Sequence, residues 1–312
     1  MGSVPELLSE RVAAIDIGTN SVLLLIAARN FEGQLTTLVE RANVTRLGRG
    51  VDADRRLQPA AMQRTLDVLA AYAAEAREHG AKILAVGTSA LRDASNAAEF
   101  RARAQEVLGV PPIVIDGERE AVLTFAGALA GLPVERSVVT VIDVGGGSTE
   151  LVRAHGDGLE AVSLDIGAVR VTERFALTAP TSQDACAEVL AHATAALRAS
   201  HAAPTAQIVA VAGTATTLAA IAGRVEPFDP ARIHGARITR SELVALIARL
   251  AALDLAERAA LPGLGAARAD VIVGGALVLL AACDHARASE LMVSCGGLRV
   301  GVAAEALGVA VR

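Results

Sequence analysis

Two aspartates, each closing a hydrophobic run and followed by a Gly/Ser/Thr turn, are the residues of this chain best placed to do chemistry. Residues 12–24 read VAAIDIGTNSVLL and residues 139–151 read VTVIDVGGGSTEL, so Asp16, Gly18 and Ser21 align with Asp143, Gly145 and Ser148 at a separation of 127 residues. Turns of this kind offer unpaired backbone N–H groups and small hydroxyls to an oxyanion, where bulky side chains would keep a phosphate out. An aspartate at the strand end is either a turn cap or a carboxylate for Mg2+ held largely through water, as hard cations beside phosphates are. Two such turns facing each other would clamp one phosphoanhydride and a metal between them.

Two more loops have the same composition: GTSALRDASN (87–96) and GTATT (213–217). A single Gly/Ser/Thr turn is an ordinary hairpin turn, since these residues supply positive φ and local hydrogen bonds. Four of them, each abutting a hydrophobic strand, point to phosphate binding. The candidate phosphate ligands are Thr19, Asn20, Ser21, Thr88, Ser89, Gly145, Gly146, Gly147, Ser148, Gly213 and Thr214. Arg92 could grip a phosphate in bidentate fashion or pair with a nearby acid. Glu150, two residues after Ser148, is costly to bury unless it serves a metal, a water or an arginine. Glu118 and Glu120 flank Arg119 in DGEREA at a helix start. Acids there stabilise the helix dipole, and one could also orient a water for attack on phosphorus.

Other chemistries lack their residues. The six histidines form no H-x-H or H-E-x-x-H arrangement, and a single lysine, Lys82, rules out a Walker-type G-x-x-x-x-G-K-[ST] loop. No G-x-G-x-x-G follows a strand, and no G-x-S-x-G elbow supports a serine hydrolase.

Strands that end in these turns must alternate with helices. Hydrophobic runs predict strands at 12–20, 21–30 and 34–44, and helical spacing predicts a helix over 59–78 stopping at His79–Gly80. A strand and polar loop over 81–96, a helix over 98–108, and a strand at 111–120 running into a helix complete the first half. The second half restarts with a hairpin over 137–154. LEAVSLDIGAVRV (159–171) reads as one strand, residues 183–200 as a helix, and 207–222 as strand, Gly/Thr loop and helix. Helices at 241–252 and 271–282 and a last strand at 291–293 follow. Strand–helix alternation with a hairpin at each repeat start predicts a mixed-sheet α/β fold in two related lobes. The boundary falls in the helix after Glu120, near residues 123–132.

The chain has 312 residues, enough for two cores. It is 53% hydrophobic but only 2% aromatic, with no Trp, so those cores must be Ala, Val, Leu and Ile. A net charge of −5 argues against coating duplex nucleic acid or anionic lipid. Three cysteines without a C-x-x-C pair suggest a reducing compartment and no cysteine metal site. No signal peptide is evident, and the longest apolar run, 13 residues at 271–283, is short of the ~20 that span a bilayer. A cytoplasmic protein is expected, and a homodimer is compatible with the sequence.

Taken together, AAIDIGTNS, GTSALRDASN, DGEREA, VIDVGGGSTEL, AGTATTLAA and PGLGAARADVIVGGA resemble the exopolyphosphatase / guanosine pentaphosphate phosphohydrolase family, in the family's order and over essentially the whole chain. The resemblance implies two ribonuclease-H-like lobes of the actin-like ATPase superfamily around a cleft, with lobes at 1–124 (joined by 300–312) and 125–299. It implies Mg2+-dependent release of terminal orthophosphate from inorganic polyphosphate or of the 5′-γ-phosphate of pppGpp. It makes Glu120 the general base, and places Asp143, Gly145, Gly146, Ser148 and Glu150 around the scissile phosphate and metal; Asp16, on the strand-end reading above, is a further candidate metal ligand through water. It maps Thr19, Asn20 and Ser21 to the first-lobe turn and Arg92 to the family's arginine after G-T-S. The sequence carries no C-terminal HD-type extension, which places it with the family's short form. Cys295 and Val300 in SCGGLRVG, and Val22, depart from the family's pattern. Arg46, Arg49, Arg170, Arg268 and Arg299 are candidates for a basic track along the cleft. Two other classes stay open: a kinase of the same superfamily, with Gly274–Gly275 marking an adenosine pocket, and a non-catalytic sensor of the same polyanions.

Overall fold

The two matching runs become the central strands of two sheets built to one plan. The computed structural model describes residues 10–310; the N-terminal residues on which the absence of a signal peptide rests lie outside them. The first sheet comprises β1 (Arg11–Ile17), β2 (Ser21–Arg29), β3 (Leu35–Val44), β4 (Lys82–Gly87) and β5 (Ile113–Val114), in the order β3-β2-β1-β4-β5. β1 pairs antiparallel with β2 and parallel with β4. The helices of this half are α1 (Val51–Asp54), α2 (Pro59–Glu78), α3 (Ser89–Asp93) and α4 (Ala97–Leu108). Pro59 at the first position suits the start of α2, and Gly80 at φ 61 follows its end.

After α5 (Gly117–Ala128) the second sheet comprises β6 (Val139–Val144), β7 (Thr149–His155), β8 (Gly158–Leu164), β9 (Gln207–Val211), β10 (Arg237–Thr239) and β11 (Glu290–Val293). Its order is β10-β11-β9-β6-β7-β8, with β6 antiparallel to β7 and parallel to β9. From the far hairpin strand inward, β8-β7-β6-β9-β11 repeats β3-β2-β1-β4-β5. Two mixed sheets of the same topology flanked by helices are the two-lobed, ribonuclease-H-like α/β fold that the resemblance implies.

The remaining helices are α6 (Ala168–Arg174), α7 (Gln183–Ala199), α8 (Ala212–Gly223), α9 (Pro230–Ile233), α10 (Arg240–Ala252), α11 (Leu255–Ala259), α12 (Ile272–His285) and α13 (Leu298–Ala306). Real caps begin several: Asp116 accepts from Arg119 N before α5, and Thr239 with Glu242 forms a capping box at α10. The cores are aliphatic, as the composition requires. Ile15, Leu24, Ile26, Leu69 and Phe100 are fully buried in one half and Ile142, Leu197, Leu218, Val278 and Leu279 in the other.

Three readings need correction, the first being the polar loop within 81–96, where Ser89–Asp93 winds into α3. The run 159–171 is not one strand: β8 stops at Leu164, and Ala168–Arg174 coils into α6. The cause is tertiary. A Cβ on Gly167 would collide with the backbone of Gly146 and Gly147, and the amides of Ala168 and Val169 donate to Gly145 O and Gly146 O at 2.8 Å. The GTATT segment is likewise not a loop, because α8 starts directly at Ala212, whose φ of 68 makes the strand-to-helix turn. α13 returns to the first sheet: Leu298, Val302, Ala303 and Leu307 pack with Val12, Ala14 and Leu25. It crosses α5 at backbone contact, where a Cβ on Gly301 would overlap Leu123 O and one on Gly127 would overlap Gly297 O.

Candidate active site

β1 and β6 each end in the same closed turn. Gly18 N donates to Ser21 O at 3.0 Å, and Gly145 N donates to Ser148 O at 3.1 Å. The register is also shared: Asp16 sits opposite Leu23 and Asp143 opposite Glu150. Leu23 and Glu150 are therefore equivalent positions that have diverged, apolar in one copy and acidic in the other.

The turns face each other at contact distance. A Cβ on Gly146 would lie 3.0 Å from Thr19 Cβ and 3.1 Å from Asn20 N, and one on Gly147 would lie 2.8 Å from Thr19 Oγ1 and overlap Ser89 Oγ. Only glycine lets the second turn approach this closely. Its carbonyls are taken up by α6, as above. Among the described residues, the amides of Gly146, Gly147 and Ser148 donate to no backbone acceptor, which leaves them for a ligand.

Between the turns lies a cavity of about 120 Å³. It is lined by Asp16, Thr19, Asn20, Ser21, Thr88, Ser89, Glu120, Asp143, Gly145, Gly146, Gly147, Ser148, Gly213 and Thr214, so four separate loops of the sequence meet at one place. Arg268 also lines it. Gly213 and Thr214 present the N-terminus of α8, and Thr88 and Ser89 that of α3.

Two candidates stand elsewhere. Arg92 is not on the cavity wall: its Nη1 bonds Glu120 Oε2 at 2.6 Å and Ile115 O at 3.0 Å. It pairs with a site acid and not with its sequence neighbour Asp93. Glu150 is buried beside Asp143, its cross-strand partner, off the cavity wall, where Oε1 accepts from Ser163 Oγ at 2.7 Å. The basic track is not continuous either. Arg170 and Arg299 are held in ion pairs, the latter with Glu40, and Arg46 pairs with Asp270 in a neighbouring chamber shared with Arg49.

Arg268 is the cation of the cavity. Its guanidinium covers Gly213, where a Cβ would lie 3.1 Å from Cζ, and Nη1 donates to Thr217 Oγ1 at 3.1 Å. Among the described residues no carboxylate pairs with it, and burial pulls its pKa down. A charge so placed lacks the anion that would offset its desolvation.

The acids show the converse. Burial, then the charges of Glu120 and Asp143, push Asp16 up to about 8 against the opposing pull of Arg299. Burial and Glu120 push Asp143 up to about 7. Burial, Glu120 and Asp143 raise Glu150 well above the usual range despite hydrogen bonds from Ser163 and Ser148. Glu120 is raised by burial, which outweighs the charge and hydrogen bond of Arg92.

These residues fit a hard divalent cation. Asp16 Oδ1, Thr19 Oγ1 and Asn20 Oδ1 are buried with no hydrogen-bond partner, all on the first turn. No group of three His, Cys, Asp or Glu among the described residues is arranged to hold a metal directly. Mg2+ characteristically takes one or two carboxylates and completes its shell with waters and substrate phosphate. Asp16 and Asp143, both on the cavity wall, supply that number, and Glu150 stands behind Asp143 as its strand partner.

Residues 26–309 match the Ppx/GppA phosphatase family. The chain belongs to that family. Exopolyphosphatase 2 of Mycobacterium tuberculosis is 39% identical over 282 residues, covering 86% of this chain and 88% of that protein. The guanosine-5'-triphosphate,3'-diphosphate pyrophosphatase of Vibrio cholerae is 40% identical over 166 residues, 52% of this chain and 33% of its own length. Among solved structures, the Aquifex aeolicus member of the Ppx/GppA family superposes with a TM-score of 0.79 at 33% identity, covering 96% of this chain and 98% of that one. The Ppx/GppA fold thus extends over nearly the whole chain, and the chain is a phosphohydrolase of this family.

Proposed function

We propose that this Ppx/GppA protein releases terminal orthophosphate from inorganic polyphosphate, or the 5′-γ-phosphate of pppGpp, with Mg2+ as cofactor. The observation that carries the reading is the cavity between the twin turns, where free amides and an unpaired arginine meet buried carboxylates. An enzyme named exopolyphosphatase as a near-full-length relative, and one named for guanosine-5'-triphosphate,3'-diphosphate over half the chain, support the same two substrates.

In this mechanism the amides of Gly146, Gly147 and Ser148, the N-terminal turn of α8 and Arg268 hold the oxygens of the terminal phosphate. Glu120, at the first turn of α5, orients a water opposite the bridging oxygen. Arg92 fixes one carboxylate oxygen and leaves the other to take the proton as the water attacks phosphorus and the bond to the leaving phosphate breaks. Asp16 and Asp143 would hold Mg2+, which would supply charge to offset that developing on the phosphoryl oxygens. Positioning and electrostatics of this kind are most of what phosphoryl transfer asks of a protein, and one preorganised donor is worth about 3–4 kcal/mol.

The kinase alternative is weakened by Gly274 and Gly275. A Cβ on either would lie 2.6 Å from a threonine hydroxyl, Thr172 Oγ1 or Thr214 Oγ1. Packing of α12 against α6 and α8 accounts for the pair without an adenosine pocket. The lobe division that fits this reading is 1–124 with 300–312, and 125–299.

The test is orthophosphate release in Mg2+ from short polyphosphate, long polyphosphate and pppGpp side by side, with ATP and an added sugar acceptor as control. Release from at least one of the first three is expected. Phosphorylated acceptor with none of these releases would replace hydrolysis by kinase chemistry, and tight binding without release would make the chain a sensor.

A further inference from the structure

Arg170 sits on α6 of the second half but is held largely by the first. Its side chain is 5% exposed. Nε donates to Gly147 O at 2.7 Å, inside the second phosphate turn. Nη1 bonds Asp52 of α1, and Nη2 bonds Asp93 of α3 and, at 3.3 Å, Ser89 Oγ. Asp165 stands 3.6 Å away. Four acceptors thus engage a group with five donors, and Arg170 does not line the substrate cavity. Ser89 and Gly147, which it joins, line that cavity from opposite halves, and a Cβ on Gly147 would overlap Ser89 Oγ. Weaker cross-contacts flank it: Arg174 also bonds Asp52, at 2.9 Å, and Glu173 accepts from Gly50 N at 3.1 Å.

We propose that Arg170 is a positioning residue that braces the two phosphate turns across the cleft, so that the closed, substrate-competent arrangement depends on its bonds to Gly147, Asp52 and Asp93. The proposal rests on the hydrolase reading only for its kinetic consequence. A lysine replaces the brace only in part, because an ammonium lacks the planar fork that serves three partners from one position. Without the brace the lobes separate, and substrate must draw them together. The apparent affinity then falls with the fraction of closed molecules, while turnover at saturation is kept.

Arg170→Met, Arg170→Lys and the double variant Asp52→Asn/Asp93→Asn, which removes the brace from the other side, test this. Small-angle X-ray scattering of each metal-free protein is compared with wild type, with and without long-chain polyphosphate, alongside phosphate-release kinetics. Arg170→Met and the double variant should show a larger radius of gyration that polyphosphate reverses, and a KM raised roughly 10–100-fold with kcat within about threefold, as a population shift requires. Arg170→Lys should fall between them and wild type. If Arg170→Met does not fold, the double variant decides. Scattering that superimposes on wild type overturns the proposal whatever the kinetics, and so does a fall in kcat with KM unchanged. Should the wild type release no phosphate from any substrate, the functional reading fails, while scattering still decides the brace.

Discussion

Glu120 carries two demands that pull in opposite directions. As the proposed base it must be ionised, yet burial raises its pKa, and Arg92 at 2.6 Å is the group that opposes that rise. A base raised above the usual carboxylate range loses activity as pH falls through its folded pKa, so the acid limb of the pH–rate profile carries Glu120 together with its buried neighbours Asp16, Asp143 and Glu150. Arg92→Met removes the lowering influence and should move that limb to higher pH by ~1–3 units, the scale on which a neighbouring cation acts. Rates above the limb should change less than rates below it. A limb that stays in place or moves down would show that Glu120 is not the group titrating. At this scale the sequence was informative about identity and silent about partners. DGEREA and GTSALRD name Glu120 and Arg92, but nothing in their spacing shows that the arginine's first duty is the glutamate. Arg268 was one of five arginines of equal standing, and only the fold shows it to be the one on the cavity wall.

At the scale of elements, glycines mark where backbones must touch. The α5–α13 crossing connects the helix that carries Glu120 to the helix packed on β1, and it allows no side chain at Gly301, whose Cβ would overlap Leu123 O. The clash is with backbone, which cannot rotate away. Gly301→Ala should therefore lower stability by about 1–3 kcal/mol through overpacking, against a helix-propensity gain of roughly 1 kcal/mol. Thermal unfolding measures the balance, and an unchanged or raised Tm would mean that the crossing is loose. The long periodic elements were legible in the sequence because their apolar spacing is local information: α2 runs Pro59–Glu78 as its pattern requires. Residues 159–171 misled for the opposite reason. Their pattern suits a strand, but the carbonyls of Gly145 and Gly146 cap the amides of Ala168 and Val169 and turn the chain into α6. That interaction joins segments over twenty residues apart in sequence and has no local signature.

At the scale of the whole molecule, duplication supplies the clamp and divergence assigns its jaws. Equivalent turns close with equivalent hydrogen bonds, Gly18 N to Ser21 O and Gly145 N to Ser148 O. The first jaw keeps Thr19 and Asn20, whose buried oxygens lack partners; the second bares its backbone at Gly146 and Gly147. The repeat was visible in the sequence, as was the α/β alternation around it. The sequence did not show that the jaws already touch, nor that Arg170 is a brace and not part of a basic track. Within the closed cleft the proposed assignments converge on one act, the transfer of a proton from water to Glu120 as the terminal phosphate is released. The measurement that tests it most directly is the rate of orthophosphate release by Glu120→Gln in Mg2+ on the substrate the wild type prefers, with substrate binding followed by calorimetry. The expected result is a fall in kcat of at least ~10²-fold, the usual contribution of a positioned base, with binding retained within a few fold. Release at the wild-type rate would contradict the account.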